Sequence, residues 1–286
     1  MKRLLVLLLL LTGVAAGPVF AAQLWLDGNL TQGGLAIGHV APGSKVEFEG
    51  SPMPVAADGT FVLGFSREAP PTATLVVTSP DGSQDRRTLS ISRRDFVVQR
   101  VDGLPEPTVN PPPAILARIK AEIAKVIELR KTSIATTDFA KAWIWPATGP
   151  ISGVYGSQRI LNGQPSTPHF GVDIAAPAGS PVRAPVGGVV ILAEELYLTG
   201  NTVIIDHGLG VNSTYAHLSS IAVKLGQRVE QGQLIGKVGA TGRATGPHLH
   251  WGLNVGQVRV DAALMVPPMP AQPAPSPPPP IDNKTH

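Results

Sequence analysis

The sequence predicts a mainly β protein in two parts, a small sandwich-like N-terminal domain and a second β-rich domain, joined by one amphipathic helix. Short alternating runs recur between turn signals, and 31 Gly and 29 Pro among 286 residues punctuate the chain too often for long helices. Only one stretch carries helical periodicity. With 43% hydrophobic residues the chain can fill packed cores, and its 286 residues leave room for two modest domains.

The first residues, MKRLLVLLLLLTGVAAGPVFAA, join a basic start to an apolar run and to small residues suited to cleavage after Ala21 or Ala22. Residues 1–21 therefore read as a secretory signal peptide. Gly13, Gly17 and Pro18 interrupt the run too early for a spanning helix, so no membrane span is expected after cleavage.

Residues 22–108 contain QLWL, KVEFEG, GTFVLGF, ATLVVTS and RTLSIS, separated by APGS, ADGT and PDGS. Regular short strands with such turns predict a β-sandwich-like accessory domain. Its one His, His39, stands beside a Pro-Gly turn and reads as a surface residue.

Residues 109–142 open with Pro111 to Pro113 and continue as AILARIKAEIAKVIELRK. Ile115, Ile119, Ile123 and Val126 or Ile127 recur at near-helical spacing, which predicts an amphipathic helix of about four to five turns. Its apolar stripe either docks on one of the domains or receives a regulatory partner. Residues 143–266 return to strands and hold five of the seven His, and the Pro-rich tail 267–286 reads as disordered or extended.

Composition excludes several classes. The formal charge of +3 includes Lys2 and Arg3 of the leader, and no basic cluster of the kind that binds nucleic acid is present. The absence of Cys rules out disulfides, thiolate metal sites, a Cys nucleophile and a lipidated N-terminal Cys. A bound metal must be held by His and carboxylates.

Three segments concentrate such groups: HFGVD (His169 to Asp173), YAHL (Tyr215 to Leu218) and GPHLHWG (Gly246 to Gly252). If HLHWGLNV is a strand, period-two alternation turns His248 and His250 to one face. Pro168 and Gly171 disfavour a helix through HFGVD, and in an extended segment His169 and Asp173 also share a face. A catalytic zinc site takes three protein ligands and keeps a position for water, a set this region can supply with His to spare. His207, beside Gly208, reads as structural.

The ordered set HFGVD, YAHL and HLH, preceded by YGSQR and accompanied by GSPVRAPVGGVV, GNTVIIDHG and GQLIGKVGATGRATGPHLHWGL, resembles the LytM and lysostaphin-type zinc metallopeptidases of family M23. The resemblance covers about Trp143 to Asp261 and implies an antiparallel β metallopeptidase domain with a groove over one zinc ion. It implies His169, Asp173 and His250 as zinc ligands and His217 and His248 as catalytic histidines, with no member of the set missing. In that scheme His248 takes a proton from a metal-activated water and His217 donates to the oxyanion.

Tyr155, Arg159, Asn201 and Tyr215 are expected substrate contacts, Arg159 through a stem-peptide carboxylate. The implied function is an exported, periplasmic or envelope-associated endopeptidase. It would hydrolyse the peptide cross-links of peptidoglycan, with those between D-alanine and a diamino acid favoured over glycine bridges. The alternative is a non-catalytic wall-binding protein or a regulator of other wall hydrolases.

Overall fold

A computed structural model describes residues 24–270. The signal-peptide reading and all but the first residues of the tail reading lie outside the described residues. Seven strands follow in order: β1 (Trp25–Gly28), β2 (Leu35–His39), β3 (Lys45–Phe48), β4 (Ser51–Met53), β5 (Thr60–Gly64), β6 (Thr72–Thr78) and β7 (Gln84–Ser90). They form two antiparallel sheets, ordered β1-β2-β5 and β4-β3-β6-β7. In β6, Ala73, Leu75 and Val77 are buried in alternation, the signature of a strand with one face on a core. They meet Ala36, Phe61 and Leu63 of the other sheet in one cluster. His39 is half-buried, stacked on Trp25 at 5.3 Å.

In the β1-β2-β5 sheet, β2 and β5 are buried on both faces, while the edge strand β1 is largely exposed. Leu35 and Val62 turn away from the sandwich and join the core of the second domain, beside Trp251, Leu253 and Val260. The next strand, β8 (Val98–Val101), leaves the sandwich altogether. It pairs in parallel with β10 (Gln158–Leu161) of the second domain, Val98 opposite Gln158. The chain therefore crosses before Val98, not at residue 108 as its sequence suggests. The alternation of β8 cannot tell which sheet will receive it.

After a short turn of helix, α1 (Glu106–Val109), the amphipathic helix α2 runs over Pro113–Leu129. Pro at its first position costs nothing, because that N–H would lack an intrahelical partner anyway. Val126 and Leu129 pack on Leu192, Leu196 and Ile204, so the stripe docks on the second domain. Lys125 reinforces the contact through Glu194 at 2.6 Å. No helix among the described residues is long and apolar enough to cross a membrane.

The remaining strands are β9 (Ile151–Gly153), β11 (Gln164–Pro165), β12 (Val172–Ala175), β13 (Pro181–Arg183), β14 (Gly188–Leu196), β15 (Gly200–Gly208) and β16 (Val211–Leu218). They are followed by β17 (Ser220–Ile221), β18 (Arg228–Val229), β19 (Leu234–Lys237), β20 (His248–Val255) and β21 (Val258–Val260). The large sheet is ordered β18-β14-β15-β16-β20-β12-β9, with β21 on β20, and a smaller one is ordered β13-β19-β17. All their pairings are antiparallel. The protein is thus mainly β, as its sequence predicts.

Three polar contacts lock the two domains beyond their apolar seam. Arg94 reaches Asp261, which is almost fully buried, at 2.8 Å. Arg67 Nε donates to Gly156 O at 2.6 Å, and Asp261 N donates to Gly33 O at 2.7 Å. Gly156 has φ +81°, and a Cβ there would lie 2.1 Å from the Phe96 ring. His207 is fully buried: Nδ1 lies 2.7 Å from Gly187 O, Nε2 lies 2.7 Å from Ser213 Oγ, and Trp143 packs edge-on at 5.0 Å. This agrees with its structural reading.

Two predictions follow from this packing. Removing Arg94 strands a buried carboxylate, so Arg94→Ala is expected to lower the unfolding free energy by about 2 kcal/mol, measured by urea denaturation. Burial pushes His207 from 6.5 down to about 4, with the Gly187 bond and Asp138 opposing and Arg228 assisting. The folded-state value lies below the unfolded one, so this contribution is complete above about pH 6.5 and fades as pH falls toward 4. Thermal midpoints taken between about pH 7.5 and 4.5 are expected to fall more steeply for the wild type than for His207→Gln, which takes up no proton.

Candidate metal centre and groove

β12 and β20 place the central pair. Asp173 lies directly opposite His250, and Ala175 opposite His248; directly opposed residues share a face of the sheet. His169 precedes β12 and is held by backbone bonds on both sides, its N donating to Ser157 O at 2.8 Å and its O accepting from Gly156 N at 2.7 Å. Its Nδ1 lies 3.1 Å from Val154 O. A carbonyl can only accept, so Nδ1 carries the hydrogen and Nε2 presents a lone pair.

That Nε2 lies 3.0 Å from Asp173 Oδ1 and 3.0 Å from His250 Nδ1, and His250 Nδ1 lies 2.9 Å from the same carboxylate oxygen. Three atoms that act as acceptors thus close a triangle, an arrangement that repels itself unless a cation or a proton lies among them. A tetrahedral zinc with bonds of about 2.0–2.1 Å sets its ligand atoms roughly 3.3 Å apart. The two-His, one-carboxylate set fits such an ion and leaves a coordination position open.

Burial raises the Asp173 carboxyl, but the imidazoles of His169 and His250 outweigh it and hold the group well below the usual carboxylate range. Burial pushes His169 down to about 4, which keeps the ring neutral and able to ligate. Two glycines make room for the cluster. A Cβ on Gly171 would sit 2.5 Å from His250 Cε1, and one on Gly153 would sit 2.5 Å from Asp173 Oδ2.

His217 reaches the cluster by a backbone device. In β16, Tyr215 lies opposite Trp251 on the core face, while Ala216 lies opposite His250 on the site face. Strict alternation would send His217 to the core with Tyr215. A bulge intervenes: Val203 pairs with Tyr215 but Asn201 with Leu218, and His217 adopts φ +62°. The left-handed residue re-aims the ring, which stands 4.8 Å from His248 and 6.1 Å from His250, centroid to centroid. Its Nδ1 lies 2.8 Å from Thr241 O. Burial, aided by the His250 and His248 imidazoles, pushes His217 down to about 3. His248 Nδ1 likewise lies 2.9 Å from Gly246 O, and its Nε2 lies 4.0 Å from Asp173 Oδ1. Each ring therefore keeps Nε2 free.

The four expected substrate contacts fare differently. Arg159 lines the site but is engaged by Asp173 Oδ2 at 2.5 Å. Asn201 pins the bulge, its Nδ2 donating to Leu218 O at 3.0 Å while Thr241 Oγ1 donates to the same carbonyl at 2.8 Å. Tyr215 is fully buried on the core side, its hydroxyl 2.7 Å from Ser213 Oγ, so it contacts neither the groove nor His217. Tyr155 is also buried; its hydroxyl donates to Arg259 O at 2.8 Å and its ring packs on Phe96 and Phe170. Both tyrosines are corrections to the sequence reading, because an aromatic ring beside a site motif is as readily turned into the core.

A groove of about 630 Å³ runs from His169, His217 and His250 along the sheet, and α2 forms its far wall. On the other side of the cluster a hollow of about 140 Å³ lies against Gln99 and Val101 of β8 and includes Asp173 and His248. Arg130, Arg243 and Arg259 line the groove and were not singled out by sequence. Arg243 lies within the TGRATG stretch of the M23-like pattern, the one signal that could have marked it.

Comparisons with known proteins agree with this geometry. Residues 167–262 match the profile of peptidase family M23. The chain is 50% identical over 88 residues to the peptidoglycan DD-endopeptidase ShyA of Vibrio cholerae, covering 31% of this chain and 20% of that protein. It is 43% identical over 102 residues to the DD-carboxypeptidase/endopeptidase Mpg of Neisseria meningitidis, covering 36% of this chain and 24% of that protein. The chain thus spans about a quarter or less of these curated relatives. A crystal structure from Pseudomonas aeruginosa, described as a candidate M23 peptidase, is 32% identical and superposes with a TM-score of 0.65. That match covers 83% of this chain and 95% of the other, so the likeness in fold extends well beyond residues 167–262. The chain belongs to peptidase family M23.

Proposed function

We propose that the protein is an exported, zinc-dependent endopeptidase of the cell envelope that hydrolyses peptide cross-links of bacterial peptidoglycan. The observation that carries this reading is the triangle of His169 Nε2, Asp173 Oδ1 and His250 Nδ1, with sides of 2.9–3.0 Å and two further imidazoles beside it. The names of the curated relatives support the substrate, and the apolar leader in the sequence supports export.

In this reading His169, Asp173 and His250 hold one zinc ion. A zinc ion so held lowers the pKa of a bound water and polarises the scissile carbonyl. His248 takes the proton of the attacking water at Nε2, since its Nδ1–H is committed to Gly246 O, and returns it to the leaving amine. His217 has the same commitment to Thr241 O and is pushed down to about 3. Its neutral ring therefore presents a lone pair at Nε2 and acts there as an acceptor, orienting the attacking water or the leaving amine rather than donating to the oxyanion. Arg159 holds Asp173 Oδ2, which leaves Oδ1 for the metal and fixes the carboxylate plane. Asn201 acts on His217 by holding the bulge rather than by touching substrate.

The full chain incubated with purified sacculi, with and without a zinc chelator, tests the reading. New peptide ends found by mass spectrometry that vanish with chelator support it, and undigested sacculi overturn it. His169→Ala and His250→Ala are expected to lose both zinc and turnover. His248→Ala is expected to keep zinc and lose about 10²–10⁴ in kcat, read by metal analysis beside the digestion assay. Gly171→Ala, which crowds the His250 ring, is expected to weaken zinc affinity about 10–100-fold with the fold retained.

A further inference from the structure

The groove carries more positive charge than its own acids answer. Its one carboxylate outside the metal cluster, Glu122, is already engaged by Arg118 Nε at 2.7 Å and by Tyr197 N at 2.8 Å. Among the described residues, Arg130 and Arg259 have no carboxylate partner. Arg130 closes α2 and donates from Nη2 to Thr214 Oγ1 at 3.0 Å, while its Nε is buried without a partner. Arg259, on β21, lies over the Phe170 ring at 4.6 Å. Burial, and then the charge of Arg259, depress Arg130 to about 10, while Arg259 itself is solvent-exposed. Asn254, also in the groove wall and 4% exposed, has a buried Nδ2 with no partner.

These groups are all donors, and they share the face that bears the metal cluster. Thr214 lies opposite Gly252, two residues along β20 from His250, and Asn254 is two residues further. At about 3.4 Å per residue the Arg130 contact is therefore roughly 7 Å along the sheet from His250, about two residues of extended peptide. A guanidinium with a buried, unpartnered Nε and no counter-charge, as in Arg130, is costly, and a planar carboxylate relieves it through paired N–H donors, with the exposed Arg259 open to the same ligand.

We propose that Arg130 and Arg259, with the Asn254 amide, form a subsite that binds a carboxylate of the substrate peptide about two residues from the scissile bond. The assignment of that carboxylate to a wall stem peptide rests on the endopeptidase reading, whereas the anion chemistry of the subsite does not. The subsite gives the groove a preference for substrates bearing a free acid at that spacing, and it fixes the direction in which the peptide lies.

The test is a binding measurement on the full chain stripped of metal, so that turnover does not enter. A stem tetrapeptide ending in D-alanine is titrated by calorimetry as the free acid and with its carboxylates amidated. The free acid is expected to bind about tenfold tighter, one charge-assisted contact's worth. Arg130→Gln and Arg259→Gln are each expected to erase most of that preference while binding the amidated form as the wild type does. Should Arg130→Gln fail to fold, Arg259→Gln and the wild-type comparison still decide.

Equal affinity of the wild type for both forms overturns the subsite, as does an unchanged preference in both folded variants. Inorganic phosphate that competes as well as the free acid marks a site for small anions and also overturns it. Selective binding of the free acid by a protein that leaves sacculi intact overturns the endopeptidase reading and not the subsite. Cleavage of sacculi by a protein that ignores amidation does the reverse.

Discussion

The register of one strand pair sets everything else in the site. Asp173 on β12 and His250 on β20 are direct cross-strand partners, so their side chains reach the same point without help from any loop. A slip of one residue would carry His248 and His250 to the core face and Leu249 and Trp251 to the groove. The core forbids it. Leu249, Trp251 and Leu253 are fully buried against Ile174, Tyr215 and Trp143, and exposing them would cost about 1.5–3 kcal/mol each. Alternation in HLHWGLNV thus does two jobs: its apolar positions fix the register that its polar positions need.

His169 cannot use that mechanism, because it precedes the strand. It is held by a chain of contacts that begins in the other domain. Arg67 binds Gly156 O, Gly156 N binds His169 O, and Val154 O receives the imidazole Nδ1–H. Phe96 packs into the space a side chain at Gly156 would occupy. The sandwich is therefore a brace for the His169–Asp173–His250 cluster as well as an appendage to the second domain. The parallel strand β8 extends the same support along β10 to the hollow beside His248.

What the sequence made legible and what it concealed divide along a physical line. Period-two spacing exposed His248 with His250, the extended reading of HFGVD exposed His169 with Asp173, and the spacing of Ile119 and Val126 exposed α2. Each depends only on local geometry. The re-aiming of His217 depends on a bulge and a left-handed φ that neighbours on β15 and the Thr241 loop impose, and no local pattern announces it. Family likeness supplied His217 where periodicity would have buried it with Tyr215. Tyr155 and Tyr215 failed as contacts for the converse reason, since nearness in sequence to a site motif says nothing about which face a ring takes. The crossing of β8 escaped because strand propensity carries no partner identity.

Helix α2 shows what the groove costs in stability. Its inner residues divide along its length: Ile119 is buried, Val126 and Leu129 sit on the sheet, and Ile123 and Ile127 remain 51% and 41% exposed although they face the groove. A helix seated fully on β14 and β15 would bury both isoleucines and gain a few kcal/mol. The C-terminal end of α2 is seated by Val126 and Leu129 and is further tied by polar contacts, Arg130 to Thr214 and Gln257 Nε2 to Ile127 O at 3.1 Å. The bare isoleucines give the groove an apolar wall facing the sheet that carries Asp173, His250 and Arg259. Such a cleft suits an extended peptide with apolar side chains on one edge and charged groups on the other.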